Sequence, residues 1–183
     1  DCTEGKLFAE YLKIVKKPNY GYGQAINPCI DCHLLMLKLA RKIMIKSGYD
    51  LVATGEVLGE RPMSQNKKSI DLIEKKAGLG GYLLRPLSAK LLLPSVAEKR
   101  GLIEREKLLA ISGRSRKPQL ALVKKFKIKN YPTPAGGCLL CEIEFGKKLK
   151  ALLETKRQLD KNDIELIKIG RHFWFAGIWI VLG

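Results

Sequence analysis

The chain has 183 residues, 46% of them hydrophobic, enough to bury a sizeable core, so a globular protein of one domain, or one domain with an appendage, is expected. Its 34 Lys and Arg against 18 Asp and Glu give a formal charge of +16, which points to a polyanionic partner, with nucleic acid ahead of an anionic membrane surface. The opening DCTEGKLFAEYLKIV is an acidic cap followed by an amphipathic pattern, not a basic and then apolar leader, so no signal peptide and a cytoplasmic location are expected.

Residues 4–16 place Leu7, Phe8, Tyr11, Leu12 and Val15 on one helical face. The segment KKPNYGYGQAINP is a loop, and Leu34, Leu35, Leu37, Leu39, Ile43 and Met44 predict a second helix from Asp31 to Lys46, ended by SGYD. YDLVATGE predicts a short buried strand breaking at Gly55. A helix over 64–77 is closed by GLGG, and GYLLRPLS predicts a second strand stopped at Pro86. This alternation is that of an α/β fold.

SVAEKRGLIEREKLLAISG predicts two short helices, the first opened by a capping box of Ser95 and Glu98. SRKPQLALVKKFKI predicts a helix with Pro118 in its first turn, NYPTPAGGC an irregular loop, and 142–156 and 160–168 two more helices. The apolar run Phe173 to Gly183 is shorter than the roughly 20 residues a membrane span needs, so a buried strand or hairpin is expected. The missing initial Met and the abrupt apolar end read as a piece of something longer.

Five cysteines stand at Cys2, Cys29, Cys32, Cys138 and Cys141, and four of them form two C-x-x-C pairs, CIDC and CLLC, each beside a predicted helix start. Lone buried thiols are common, but two pairs at this spacing favour metal, and the cytoplasmic character disfavours a structural disulfide. Asn27 and Pro28 before the first pair, and Gly136 and Gly137 before the second, supply turns that let thiolates converge. Zinc ribbons separate their pairs by about 15–20 residues. Here the separation is far longer, so the fold itself must assemble the site. Zinc wants four closed ligands, whereas an iron–sulfur cubane can be held by three thiolates with one iron left open, and the spacing leaves both readings standing.

Two segments are candidates for phosphate. VATGEVLGERPMSQ puts Thr54, Gly55 and Glu56 where a strand ends, the place at which open α/β sheets bind ligands, with Arg61 able to pair a phosphate bidentately. GRSRKPQ gathers Arg114, Arg116 and Lys117 at a predicted helix N-terminus, which favours anions. RPLSAK adds Arg85, Ser88 and Lys90 at another strand end.

Taken in order, GYGQAINPCIDCHLLMLKLA, DLVATGEVLGERPMSQ, LLRPLSAKLLLPS, GRSRKPQ and YPTPAGGCLL resemble the PP-loop ATP pyrophosphatase family of tRNA sulfurtransferases, the 4-thiouridine and 2-thiouridine synthase-like proteins, over about residues 11–150. The resemblance implies the C-terminal part of an adenine nucleotide alpha hydrolase-like (HUP, Rossmann-like) parallel sheet with helices over 1–158, and the start of a small β-rich domain over 159–183. It implies ATP-dependent adenylation of a tRNA uridine followed by sulfur transfer, with ATP, Mg2+ and a 4Fe–4S cluster as cofactors, zinc being the alternative metal. A sulfur donor protein or sulfide joins tRNA as partner, with no membrane involved.

Cys29, Cys32 and Cys138 match the cysteines that hold the cluster and serve catalysis in related thiolases. Thr54 and Gly55 match the first two residues of the superfamily's Thr-Gly-His near the nucleotide; Glu56 departs from its His, and Cys141 stands where a Thr is expected. Arg61 joins the nucleotide site, and Arg114, Arg116 and Lys117 the RNA contact. The family's Ser-Gly-Gly-x-Asp-Ser phosphate loop is not in this sequence, so the fragment is expected to be inactive alone. A non-catalytic zinc-stabilised RNA-binding module is the alternative from another class, and a superfamily ligase or amidotransferase acting on a small molecule is a third reading with less use for +16.

Overall fold

The computed structural model describes residues 5–131, 137–156 and 159–183. In chain order the elements are helices α1 (Gly5–Lys16) and α2 (Cys29–Ser47), strand β1 (Val52–Ala53), helix α3 (Lys67–Ala77), strand β2 (Leu83–Leu84), helices α4 (Val96–Lys99), α5 (Lys117–Lys125), α6 (Ile143–Thr155) and α7 (Lys161–Leu166), and strands β3 (Arg171–Phe175) and β4 (Ile178–Leu182). Single 3-10 turns sit at Ala89–Leu91, Arg105–Lys107 and Leu139–Cys141. The chain divides into two units, one of Asp1–Asp31 with Gly137–Gly183 and one of Cys32–Gly136. Among the described residues no helix is long and apolar enough to cross a membrane.

The first unit is built on α6. Phe145, Leu149 and Leu152 recur at helical spacing and are buried with Val15, Ile26, Leu140 and Ile167. α7 opens with a capping box in which Asp160 and Asp163 each accept the other's backbone N–H. β3 and β4 pair antiparallel with Phe175 opposite Ile178, so the loop is the two residues Ala176 and Gly177. Both have positive φ, 48° and 79°, as a type I′ turn requires. Trp174 and Trp179 lie directly opposite one another and pack on the core. The expected hairpin is present, but it is not buried: one face is half-covered, while Phe173, Phe175, Ile178, Ile180 and Leu182 of the other are exposed.

The second unit is mixed α/β. β1 and β2 run parallel, Val52 beside Leu83 and Ala53 beside Leu84, with α3 as the crossover that parallel pairing needs. Asn66 caps α3 by accepting from the Ser69 N–H, and Gly78 ends it in the left-handed conformation. Ile70, Ile73, Val57, Leu79, Leu83 and Leu84 are buried, and Leu84 packs with Ala89 and Leu108. The Ser95–Glu98 capping box of α4 forms as expected. The second short helix expected after it is only the turn Arg105–Lys107. Backbone N–H groups that would continue that helix donate elsewhere, Leu109 to the Pro86 carbonyl at 2.9 Å and Ile111 to that of Leu87 at 2.7 Å. α2 forms as a helix, but its apolar face is unevenly covered: Leu37 is buried, whereas Met36, Ile43 and Ile45 are exposed.

Candidate functional site

The thiols of the first unit are placed by polar groups that cannot be left unpaired. Asp31, buried in the first turn of α2, accepts from the Asn19 N–H, the Asn19 side-chain amide and the Tyr20 N–H at 3.0–3.1 Å. This fastens the Gly-rich loop to the start of the helix at Cys29. Two residues before Cys29, buried Asn27 donates its amide to the sulfur of Cys141. The Ile26 N–H reaches the Leu140 carbonyl at 3.3 Å, and Cys141 N–H bonds the Cys138 carbonyl at 2.8 Å. The turn Leu139–Cys141 therefore lies along the segment leading into α2, and Cys141 is carried to the residues just before Cys29.

The influence of neighbouring thiols shows in the acidity of Cys138. Loss of solvation pushes its thiol above the ordinary value, the neighbouring sulfurs of Cys141 and Cys29 push the same way, and a hydrogen bond from the Leu140 backbone N–H pulls it down. None of Cys29, Cys32, Cys138 and Cys141 forms a disulfide. Cys32 stands one turn beyond Cys29, on the same side of α2. Thiolate donors are the set that zinc and iron–sulfur clusters take, so the chemistry fits either group. Among the described residues no three His, Cys, Asp or Glu side chains are gathered tightly enough to enclose an ion as they stand. Cys2 and Gly136 lie outside the described residues.

The strand-end site belongs to the second unit, where the Thr54 N–H still pairs with the Leu84 carbonyl at 3.0 Å. Gly55 is exposed, and a Cβ built on it would meet nothing within 4 Å, which leaves open space above the backbone. Glu56 turns inward. Its Oε1 lies 2.7 Å from His33 Nδ1, and its Oε2 accepts from Arg85 Nε at 2.9 Å and from the Thr54 hydroxyl at 3.1 Å. Arg85 then donates to Glu74 at 2.8 Å, and Ser64 Oγ stands 3.5 Å from His33 Nε2. Burial alone would raise the Glu56 pKa, but the hydrogen bond from His33 and the charges of Arg85 and His33 outweigh it and hold the carboxyl below its usual range.

The network also revises the reading of RPLSAK. Arg85 is 3% exposed and committed to two carboxylates, and buried Ser88 accepts the Leu58 N–H at 2.9 Å and donates to the Ile111 carbonyl at 2.7 Å. Lys90 donates to the Glu106 carbonyl at 2.8 Å. All three hold the fold together. The Arg61 backbone N–H is taken by Gln65 at 3.1 Å. Arg116 is the N-cap of α5 with Pro118 in the first turn, and its Nε lies 3.4 Å from Glu60. The Gly113 N–H donates to the Leu58 carbonyl at 2.8 Å, so the basic turn rests on the loop that follows Glu56. Arg114 and Lys117 are exposed beside it.

His33, Ser64 and Glu74 were not singled out by pattern. The available signal was a pair of opposite charges, Glu56 and Arg85, lying just past the ends of two short apolar strands. Across known proteins, no family model, no curated protein and no solved structure matches the chain.

Proposed function

We propose that this chain takes part in ATP-dependent tRNA thiolation, adenylation of a uridine followed by sulfur transfer, as a sulfurtransferase-like enzyme with a HUP-type α/β core. The observation that supports this reading is the bond from buried Asn27 to the Cys141 sulfur, which ties the turn carrying Cys138 and Cys141 to the segment leading into Cys29. Cys29, Cys32 and Cys138 are the residues that would hold a 4Fe–4S cluster, with Cys141 beside them. When bound, such a cluster supplies iron able to take up sulfide. Asn27 holds the Cys141 sulfur in place through its side-chain amide.

The open backbone at Gly55 supports a nucleotide site in which Thr54, Gly55, Glu56 and Arg61 surround ATP and Mg2+, with Glu56 acting through the position it gives its neighbours. Exposed Arg114 and Lys117, with Arg116 shared by Glu60, are suited to tRNA phosphates. The place of Cys141 next to Cys138 favours one second reading, a closed four-thiolate zinc site in a non-catalytic RNA-binding module.

Thiouridine in tRNA separates the two. In the full-length protein, Cys29→Ser and Cys138→Ser are expected to abolish thiolation while leaving tRNA affinity within about twofold, because phosphate contacts dominate that affinity. Unchanged thiouridine in both variants would end the enzymatic reading.

A further inference from the structure

The first unit contains a cavity of about 420 Å³, within the range of small-ligand sites, formed by the end of α1, the turn that follows it and α6. Its floor is apolar: Ala25, Ile26, Ile143 and Leu153. Gly146 lets α6 approach that floor, since a Cβ there would come within 3.0 Å of the Ala25 Cβ. The rim carries Tyr22, Lys16, Lys147 and Lys150 against a single acid, Glu154.

Tyr22 is an exposed ring held in place. Its one hydroxyl proton is shared between the Val15 carbonyl at 2.8 Å and the Lys16 carbonyl at 2.9 Å, both at the end of α1, where carbonyls lack helical partners. This bond holds the hydroxyl end of a ring that remains 42% exposed. Lys147 is shared with Glu144 at 2.8 Å, but among the described residues neither Lys16 nor Lys150 has a carboxylate within ion-pair distance. An anchored aromatic ring, an apolar floor and two uncommitted ammonium groups are the parts used to hold one unpaired nucleotide, base on the ring and phosphates on the lysines.

We infer that this cavity binds an unpaired nucleotide of a single-stranded RNA segment, stacked on Tyr22, with its flanking phosphates on Lys16 and Lys150. An acidic peptide would use the charge but leave the ring without a purpose, whereas a nucleotide uses both. The location suits the thiol chemistry as well. The turn that floors the cavity with Ala25 and Ile26 continues into Asn27, whose amide holds the Cys141 sulfur. The proposal rests on the thiolation reading only for the identity of the RNA as tRNA.

The test is equilibrium binding of a short oligouridylate, without ATP, iron or sulfide, across a salt series, with an RNA duplex, inorganic polyphosphate and anionic phospholipid vesicles as comparison ligands. Tyr22→Ala is expected to weaken oligouridylate binding about tenfold and leave polyphosphate binding unchanged, as loss of one stacking contact does. Lys16→Ala with Lys150→Ala is expected to make the salt slope shallower by about 0.7 per lysine lost, and both lysines are surface groups whose loss spares the fold. Tyr22→Phe, which keeps the ring and loses its anchor, is expected to fall between wild type and Tyr22→Ala, and it covers the case in which the alanine variant does not fold. The inference is overturned if oligouridylate affinity and salt slope are unchanged in the lysine pair, if the duplex is bound as well as the single strand with equal dependence on Tyr22, or if Tyr22 governs vesicle binding instead. Because no thiolation is read, failure here leaves the cysteine reading intact, and failure of thiolation leaves this one intact.

Discussion

Glu56 decides the character of its surroundings because a carboxylate that is 10% exposed cannot keep its charge without partners. Arg85, itself 2% exposed in its side chain, supplies one, and His33 the other. Glu56→Gln would leave buried Arg85 with Glu74 alone and take the charged acceptor from His33 and the Thr54 hydroxyl, and losing one partner of buried groups costs more than the intact contact contributes. Glu56→Gln is therefore expected to destabilise the protein by about 3 kcal/mol at neutral pH, read from urea unfolding. Since folding lowers the Glu56 pKa, the stability it adds is present above the unfolded glutamate value of about 4.3 and is lost as pH falls through the lower folded value. The unfolding midpoint of the wild type should fall in that acid window, and the variant's should fall less steeply. A variant with the wild-type midpoint at pH 7 would show that Glu56 is no anchor. The sequence placed Glu56 at a strand end and compared it with a nucleotide-site histidine; that it turns inward depends on where α2 delivers His33, which no local pattern encodes.

Among the elements, the legible ones are those whose ends carry their own chemistry. α3 runs from Asn66 to Gly78 because an amide oxygen caps one end and a left-handed residue, φ 69°, closes the other. The Ser95–Glu98 box was readable for the same reason, and so was the first-turn Pro118 of α5. What could not be read was the fate of IEREKLL, where helix propensity loses to backbone bonds made with residues 86 and 87. Nor could the burial of the hairpin be read, since an alternating strand shows which residues share a face but not what covers that face. Two glycines test this account. Gly78→Ala should cost about 1–2 kcal/mol through its left-handed backbone, because the nearest atom to the new Cβ, Arg41 Nε at 3.1 Å, belongs to a side chain that can yield. Gly55→Ala, with open space above it and no such backbone demand, should change stability by less than about 0.5 kcal/mol. Equal losses in urea unfolding would contradict the distinction.

At the scale of the whole molecule, the four paired cysteines were visible from spacing, whereas the contact that carries Cys141 to the segment before α2 was not. It depends on Asn27 and on the bond between Ile26 and Leu140, which join segments from the two ends of the chain. Cys141, one of the four that spacing had paired, stands beside Cys138, whose thiol its sulfur and that of Cys29 push the same way. The most direct test is anaerobic reconstitution of the purified chain with ferrous iron and sulfide, with iron, sulfide and visible absorption measured for wild type, Cys29→Ser, Cys138→Ser and Cys141→Ser. A cluster held by Cys29, Cys32 and Cys138 predicts about four irons per wild-type chain with visible absorption, loss of both in Cys29→Ser and Cys138→Ser, and retention of both in Cys141→Ser. A colourless wild type that retains zinc instead, or an iron content untouched by Cys138→Ser, would contradict it.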